Sequence, residues 1–156
     1  MKNKIVRSTR EAIKKIKPGS TVLVAGFLGV GIADELIQEL ADANIRDLTL
    51  VSYGTGVLHP LLVARCAKKM ICTLPKNKLG LDAIGGTVSA VGQKSRGSLE
   101  VEVCPQSVIT ERINAGAAGI SAFYTPLGAD TELAEGKEVR EFDGVPHVLE
   151  YAIKAD

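Results

Sequence analysis

The sequence predicts an α/β fold with an open, mainly parallel sheet flanked by helices, and two observations lead to this prediction. The first is an apolar run from Thr21 to Val24, which fits a strand covered on both faces, as in a parallel sheet. The second is the order of elements: a glycine-rich loop and an amphipathic helix follow this strand, and another apolar strand follows at Leu48 to Ser52. Together they form a β-α-β unit, which requires parallel pairing and a right-handed crossover.

Length and composition favour one globular domain, residues 1–156. A chain of this length buries about two-thirds of its unfolded surface. Lys and Arg number 19 against 18 Asp and Glu, a net charge of +1, which argues against a nucleic-acid surface or a polybasic membrane anchor. Because there is no membrane-spanning apolar run and no signal-peptide core, we expect a soluble, cytoplasmic protein without membrane or nucleic-acid partners.

The three cysteines, Cys66, Cys72 and Cys104, form neither a C-x-x-C pair nor an even disulfide set. We expect reduced, mostly buried thiols and no metal site.

The first helix is predicted from the capping-box spacing of Ser8 and Glu11, and it ends before Lys17-Pro18-Gly19. The second helix follows Ile32 and has Asp34 and Glu35 in its first turn, where the helix dipole favours carboxylates. Its apolar residues recur at helical spacing: Ile32, Leu36, Ile37, Leu40 and Ala41.

The loop between the first strand and the second helix contains Gly26, Gly29 and Gly31. Open α/β sheets bind ligands beyond the carboxyl ends of their strands, and backbone N–H groups without side chains can approach a ligand closely. The spacing is neither the dinucleotide nor the Walker pattern. By pattern alone, a ligand-binding loop and a turn needed only for tight packing remain equal alternatives.

Tyr53 and Gly54 stand at the carboxyl end of the second strand. A helix from Leu61 to Lys69 and a strand from Met70 to Leu74 are predicted next, and the segment Pro75 to Ser98 has no assignable pattern. A later strand, Leu99 to Val103, alternates strictly.

The strand Leu99 to Val103 contains two glutamates, Glu100 and Glu102, which share one face. We expect them to meet solvent or basic partners and not to be catalytic. The next helix is predicted over Val108 to Ala115, closed by Gly116.

Near the end of the chain, Asp143-Gly144 between two alternating runs predicts a hairpin of strands Val139 to Phe142 and Val145 to Tyr151. Pro146 favours an edge position for the second strand. His59 and His147 have no partner set in the sequence, and we interpret both as structural or surface residues.

Ala25-Gly26-Phe27 followed by Gly31 resembles the Gly-Gly-Phe-x-x-x-Gly-x-Pro signature of the A (alpha) subunit of family I CoA-transferases, with departures at Ala25 and Ala33. Matching segments cover nearly the whole chain: 47–52, 99–106, 111–113, 115–119, 122–126, 134–137 and 139–144. The resemblance implies the fold shared by phosphosugar isomerases and CoA-transferases.

The resemblance also implies a site. Gln106 of the Pro-Gln motif would donate a hydrogen bond to a developing oxyanion. Substrate or CoA would be bound by Gly26, Phe27, Gly29, Gly31, Tyr53 and Gly54. The family usually has two asparagines where this chain has Tyr53-Gly54. The family's nucleophile is a glutamate in a Ser-Glu-Asn-Gly motif on the B (beta) subunit, and this sequence has no such motif.

The implied function is that of an A subunit that moves CoA between a short acyl-CoA or 3-oxoacyl-CoA and a carboxylic acid, through a glutamyl-CoA thioester on the B subunit. We expect a homodimer of this subunit within a heterotetramer, no permanently bound cofactor, and CoA or acyl-CoA as substrate. The family's A subunit extends further than this sequence, so an exposed inner strand would favour association. One alternative is a non-catalytic acyl-CoA-binding or assembly subunit. Another is a phosphosugar isomerase, which would need an in-chain general base that we do not find.

Overall fold

A computed structural model describes residues 5–26, 30–73 and 99–156, and the chain divides into two compact units. The first unit comprises the described residues up to Glu102 together with Asp156, and the second is Val103–Ala155. The expectation of a single domain stays a prediction.

The first unit is built on a sheet of order β1-β2-β3-β4, flanked by three helices. Its elements are α1 (Thr9–Ile13), β1 (Thr21–Leu23), α2 (Asp34–Asp42), β2 (Leu48–Val51), α3 (His59–Val63), β3 (Ala67–Cys72) and β4 (Glu100–Val103). A 3-10 helix, Gly56–Leu58, directly precedes α3. β1 pairs with β2 in parallel and β2 with β3 in parallel, which confirms the predicted parallel α/β sheet.

The core of this unit lies between one face of the sheet and the helices. Leu48 and Leu50 of β2 and Met70 of β3 are fully buried, and α2 contributes Ile37 and Leu40. The cap of α1 is also as predicted: the Ser8 hydroxyl accepts a hydrogen bond from the Glu11 N–H at 3.2 Å.

The predicted bounds of α3 and β3 were wrong. The helix ends near Ala64 because Arg65 takes a positive φ of 54°. The Cys66 N–H then donates to the Leu61 carbonyl at 2.9 Å and the Arg65 N–H to the Leu62 carbonyl at 3.1 Å. This is a Schellman motif with arginine where glycine is usual, so the sequence carried no stop signal there. Leu74 and the segment 75–98 lie outside the described residues.

The second unit contains one long helix and a three-stranded antiparallel sheet of order β5-β7-β6. Its elements are α4 (Gln106–Ala118), β5 (Ala122–Thr125), a 3-10 helix (Glu132–Ala134), β6 (Val139–Phe142) and β7 (Val145–Tyr151). Asp143 and Gly144 have φ angles of 51° and 77°. Positive φ at both central residues is the type I′ geometry, which confirms the predicted hairpin.

The predicted end of α4 was wrong. The helix continues through Gly116 to Ala118, and Gly119 ends it in the left-handed conformation, φ 77°. Gly116 has a different role, because a Cβ at this position would lie 2.1 Å from the carbonyl oxygen of Ile153. The glycine allows the backbone that follows β7 to lie against the helix.

The edge position predicted from Pro146 was also wrong, since β7 is the central strand. Phe142 and Val145 flank the two-residue turn as a hydrogen-bonded pair, and the next pair is Glu141 of β6 with Pro146. Because hydrogen-bonded and non-hydrogen-bonded pairs alternate in an antiparallel ladder, the nitrogen of Pro146 faces away from β6. On that other side β5 pairs with β7 only from Val148 to Tyr151. The missing N–H of proline therefore costs no ladder hydrogen bond.

Cys66, Cys72 and Cys104 are free and buried, as predicted. In the described ranges, no helix is long and apolar enough to cross a membrane, and no cluster of three His, Cys, Asp or Glu side chains could hold a metal ion.

Candidate functional site

The parallel sheet brings two of the predicted segments to one edge. Leu23 lies opposite Val51, and the Val24 N–H donates to the Val51 carbonyl at 2.9 Å, so β1 and β2 end side by side. Gly26 and Gly31 follow β1, and Tyr53 and Gly54 follow β2. Because the carboxyl ends of parallel strands share an edge, the first unit places both segments at the position where α/β sheets bind ligands. Phe27 and Gly29 lie outside the described residues.

The two described loop glycines differ in what requires them. At Gly26, φ is 128° and a Cβ would lie 2.5 Å from Cγ1 of Ile32, so tight packing accounts for this glycine. At Gly31, φ is 71° and no atom lies within 4 Å of the Cβ position, so only the backbone conformation requires glycine there. A cavity of about 320 Å³ adjoins this loop and is lined by apolar residues of α1, β1 and α2 together with Ala25 and Gly31.

Hydrogen bonds continue between the two backbone segments beyond the ends of β2 and β3. The Ser52 N–H donates to the Ile71 carbonyl at 3.1 Å, and the Thr73 N–H donates to the Tyr53 carbonyl at 3.2 Å. Tyr53 is half-buried, whereas a Cβ at Gly54 would meet nothing within 4 Å. The backbone at Gly54 therefore borders open space at the sheet edge.

Four buried polar side-chain atoms at this edge have no hydrogen-bond partner, and the described part of the chain has no other such atoms. They are Ser52 Oγ, Thr55 Oγ1, His59 Nδ1 and Thr73 Oγ1. Ser52 and Thr55 are only 4% and 1% exposed. A buried polar group without a partner costs about 1 to 3 kcal/mol, so these four atoms oppose folding at this edge.

Sequence reasoning missed Ser52, Thr55 and Thr73 and interpreted His59 as structural or surface. The available signal was their position just after the carboxyl ends of two parallel strands.

The glutamates of β4, Glu100 and Glu102, both pair with Lys69, at 2.9 Å each, which confirms the predicted basic partner. Partial burial acts to lower the pKa of Lys69, but the hydrogen bonds and charges of Glu100 and Glu102 outweigh it and raise that pKa. The lysine ammonium thus stays charged and holds the two carboxylates.

Gln106 belongs to the second unit, where it is exposed and begins α4 directly after Pro105. Its backbone carbonyl accepts a hydrogen bond from Thr110 Oγ1 at 3.1 Å, and the buried Val108 and Ile109 fix the first turn of the helix. Its predicted role as an oxyanion donor stays a prediction.

A buried charge cluster ties α4 to β7 in the same unit. Arg112 Nε donates to the Tyr151 carbonyl at 2.7 Å, and Arg112 also faces Glu150, with 3.6 Å between nitrogen and carboxylate oxygen. Glu150 pairs with Lys137 at 2.5 Å. Burial raises the pKa of the neighbouring Cys104 thiol, which keeps it protonated. We interpret the cluster as structural.

Comparison with known proteins identifies the family. A family model described as Coenzyme A transferase matches residues 6–156, nearly the whole chain. The chain therefore belongs to the coenzyme A transferase family, an enzyme family whose fold agrees with the parallel sheet and flanking helices seen here.

Two relatives are named as A subunits of enzymes in this family. The chain is 40% identical over 162 residues to the A subunit of 3-oxoadipate CoA-transferase from Pseudomonas putida, covering 100% of this chain and 66% of the relative. It is 40% identical over 157 residues to the A subunit of a probable succinyl-CoA:3-ketoacid coenzyme A transferase from Bacillus subtilis, covering 98% of this chain and 62% of the relative. The chain thus spans slightly less than two thirds of the length of these proteins.

Two solved structures share the fold. An acyl-CoA transferase from Escherichia coli O157:H7 superimposes with a TM-score of 0.79 at 21% identity, over 97% of this chain and 33% of that one. Glutaconate coenzyme A-transferase from Acidaminococcus fermentans gives a TM-score of 0.77 at 16% identity, over 96% of this chain and 54% of that one.

Proposed function

We propose that this chain is the A subunit of a cytoplasmic CoA-transferase that moves CoA between a short acyl-CoA or 3-oxoacyl-CoA and a carboxylic acid. The observation that carries the proposal is the 40% identity, along essentially the whole chain, to proteins named as A subunits of such enzymes. The loops that follow β1 and β2 provide the ligand-binding edge.

The proposed chemistry needs a carboxylate nucleophile, which we assign to a glutamate of a B subunit. This carboxylate attacks the acyl-CoA carbonyl and forms an acyl anhydride while CoA leaves as a thiolate. The thiolate then attacks the glutamyl carbonyl, releases the first acid and leaves a glutamyl-CoA thioester, and the second acid reverses both steps. Covalent intermediates of this kind divide one difficult exchange into easier ones.

In this proposal the chain supplies one wall of the active site. The loop residues Gly26 to Gly31 and the Tyr53-Gly54 pair bind substrate, and Gln106 donates a hydrogen bond to the oxygen on which charge develops. No permanently bound cofactor takes part. Removing one such donor lowers the rate by about 10² to 10³.

The test is to mix the purified chain with its candidate B subunit and to measure CoA transfer from acetoacetyl-CoA to a panel of short carboxylates. Each protein alone is the control. We expect transfer only in the mixture, and we expect Gln106→Ala to lower kcat by about 10² to 10³. Asn114→Ala, at an exposed position of the same helix, should leave kcat unchanged. A Gln106→Ala complex as active as the native one would contradict the role of this residue.

The proposed assembly is a heterotetramer of two A and two B subunits, and light scattering of the mixture measures its mass. The alternative is a non-catalytic acyl-CoA-binding or assembly subunit. The specific observation in its favour is Tyr53-Gly54 in place of two asparagines, because a glycine offers no side-chain donor there. A stable complex that transfers CoA to none of the acids would support this alternative.

A further inference from the structure

We propose that Arg112 is a positioning residue for the CoA-transfer reaction, because it holds α4 against β7 and thereby fixes the place of Gln106 at the start of that helix. This inference rests on the proposed function and adds to it a residue that acts through Gln106 without touching substrate. The buried charge cluster is thus structural in its contacts and acts on the reaction only through the helix that it holds. All of these residues belong to the second unit, Val103–Ala155.

The first turn of α4 has no capping side chain. Its N-cap is Pro105, and no side-chain hydrogen bond caps the helix there, whereas Ser, Thr, Asp or Asn would supply one. Burial of Val108 and Ile109 stabilises this turn, but apolar contacts have no preferred direction. The exact place of Gln106 therefore depends on directional contacts made further along the helix.

Arg112 supplies those directional contacts. Its Nε donates to the Tyr151 carbonyl at 2.7 Å, and its Nη1 lies 3.6 Å from Oε2 of Glu150. The same Nη1 lies 3.9 Å from Sγ of Cys104, which is buried. One planar guanidinium thus joins α4 to two neighbouring residues of β7 and to the segment that leads into the helix.

The charges of this cluster are costly to bury, so stability alone does not account for them. Arg112 and Glu150 are only 6% and 4% exposed. Apolar residues of similar volume are often as stabilising as a buried ion pair. A guanidinium provides a fixed geometry that an apolar side chain does not, since its N–H donors form a rigid fork. The cluster therefore defines the position of α4 relative to β7.

A small movement of α4 has a large effect at Gln106. Arg112 lies six residues further along the chain, which is about 9 Å along the helix axis. A tilt of about 6° at Arg112 therefore moves the first turn by about 1 Å. A misplacement of this size at a group that must meet a reacting atom lowers a rate by up to about 10².

Arg112→Met tests the proposal, because it keeps the length of the side chain, removes the fork and leaves Glu150 paired with Lys137. In the complex with the candidate B subunit, we expect kcat to fall by about 10 to 10². The KM for acetoacetyl-CoA should change by less than about twofold, since the hydrogen bond from Gln106 strengthens only in the transition state. Arg112→Lys keeps the charge without the fork, so kcat should fall by only about threefold.

The same substitution in a Gln106→Ala background separates positioning from a general structural effect. If Arg112 acts through Gln106, Arg112→Met lowers kcat by less than about twofold in that background, because both changes remove one interaction. If Arg112 only stabilises the fold, the two losses multiply. Losses that multiply, or a raised KM with unchanged kcat, would overturn the proposal. If circular dichroism shows that Arg112→Met does not fold, Arg112→Lys carries the same comparisons.

A matched control is Val148→Ala in β7. Val148 is 1% exposed, so its truncation destabilises the same sheet and removes no side chain of the charge cluster. We expect this control to lower Tm and to leave kcat, measured well below Tm, unchanged. A Val148→Ala complex that loses as much kcat as Arg112→Met would assign the effect to lost stability and overturn the proposal.

Hydrogen exchange of the chain alone, followed by NMR, tests the positioning step without catalysis. The probe is the Ile109 N–H, which donates to the Pro105 carbonyl at 3.0 Å in the first turn of α4. Amides near helix ends exchange by local opening, so we expect about tenfold faster exchange in Arg112→Met and no change in Val148→Ala. Unchanged exchange in Arg112→Met would overturn the proposal. Absence of CoA transfer by the native complex would instead refute the proposed function, because the exchange rate reports on the contact of Arg112 alone.

Discussion

Gly116→Ala tests the contact between α4 and the chain after β7, because helix propensity and tertiary structure predict opposite signs for it. Alanine is favoured over glycine in a helix interior by about 1 kcal/mol, so propensity alone predicts a more stable protein. The structure predicts the reverse, since the new Cβ would lie 2.1 Å from the Ile153 carbonyl oxygen and 2.9 Å from its carbon.

The expected magnitude follows from what must move. A carbon and a carbonyl oxygen in contact normally lie about 3.3 Å or more apart, so the backbone at Ile153 must withdraw by about 1 Å. That backbone is held by its N–H, which donates to the Arg112 carbonyl of the same helix at 2.8 Å. Overpacking against backbone costs up to about 3 kcal/mol, and a weakened hydrogen bond costs about 1 kcal/mol. After the gain in helix propensity, we expect a net loss of about 3 kcal/mol.

Urea denaturation followed by circular dichroism measures this loss. The control is Gly119→Ala, at the glycine that ends the same helix. A Cβ there meets no atom within 4 Å, so only the φ of 77° opposes alanine. We expect the control to cost about 1 to 2 kcal/mol. A Gly116→Ala protein as stable as the native chain, or more stable, would refute the reasoning and show that propensity dominates.

Two further predictions concern charges in the second unit. Glu150→Ala should lower the free energy of unfolding by about 3 to 5 kcal/mol, because it removes the buried carboxylate that Arg112 and Lys137 face. Glu141→Ala, at an exposed position, should change it by less than about 0.5 kcal/mol. Similar losses for the two variants in urea denaturation would contradict this. Glu138→Gln should lower the pKa of Tyr124, because that pKa is raised mainly by the hydrogen bond from Tyr124 to the Glu138 carboxylate at 2.6 Å. An unchanged ultraviolet titration of Tyr124 would contradict this cause of the raised pKa. The same hydrogen bond lowers the pKa of Glu138. The contribution of this pair to stability is therefore lost at both ends of the pH range: at low pH, as pH falls through the folded pKa of Glu138, and at high pH, as it rises through the folded pKa of Tyr124.

The parts of the fold that could be predicted are those whose cause is local. A strand covered on both faces gives a continuous apolar run, and a type I′ turn needs two residues that accept positive φ, so β1, β2 and the Asp143-Gly144 hairpin were predictable from short stretches. The end of α3 was not, because its left-handed residue is Arg65. The end of α4 was not, because Gly116 is required by Ile153, which is distant in sequence.

The candidate site also has a part that could be predicted from the sequence and a part that could not. The loops after β1 and β2 were predictable, since the topology of a parallel sheet fixes where its carboxyl ends lie. The unpartnered buried atoms of Ser52, Thr55, His59 and Thr73 were not predictable, because a sequence does not show whether a polar side chain finds a partner in the folded chain. Satisfaction of hydrogen bonds is a property of tertiary structure, and threonine is common in strands and turns for other reasons.

The unpartnered atoms of Ser52, Thr55, His59 and Thr73 also affect how stability is distributed in the first unit. Each unsatisfied buried group opposes folding by about 1 to 3 kcal/mol, so the segment from Ser52 to Thr73 needs compensating interactions nearby. Leu58, Leu61 and Leu62 stand beside Thr55 and His59 in the chain and are all fully buried. Burial of each contributes about 1.5 to 3 kcal/mol, which is similar in size to the cost of one unsatisfied polar group. Short α3 thus anchors this segment to the core, because the five-residue helix that begins with His59 buries two leucines there.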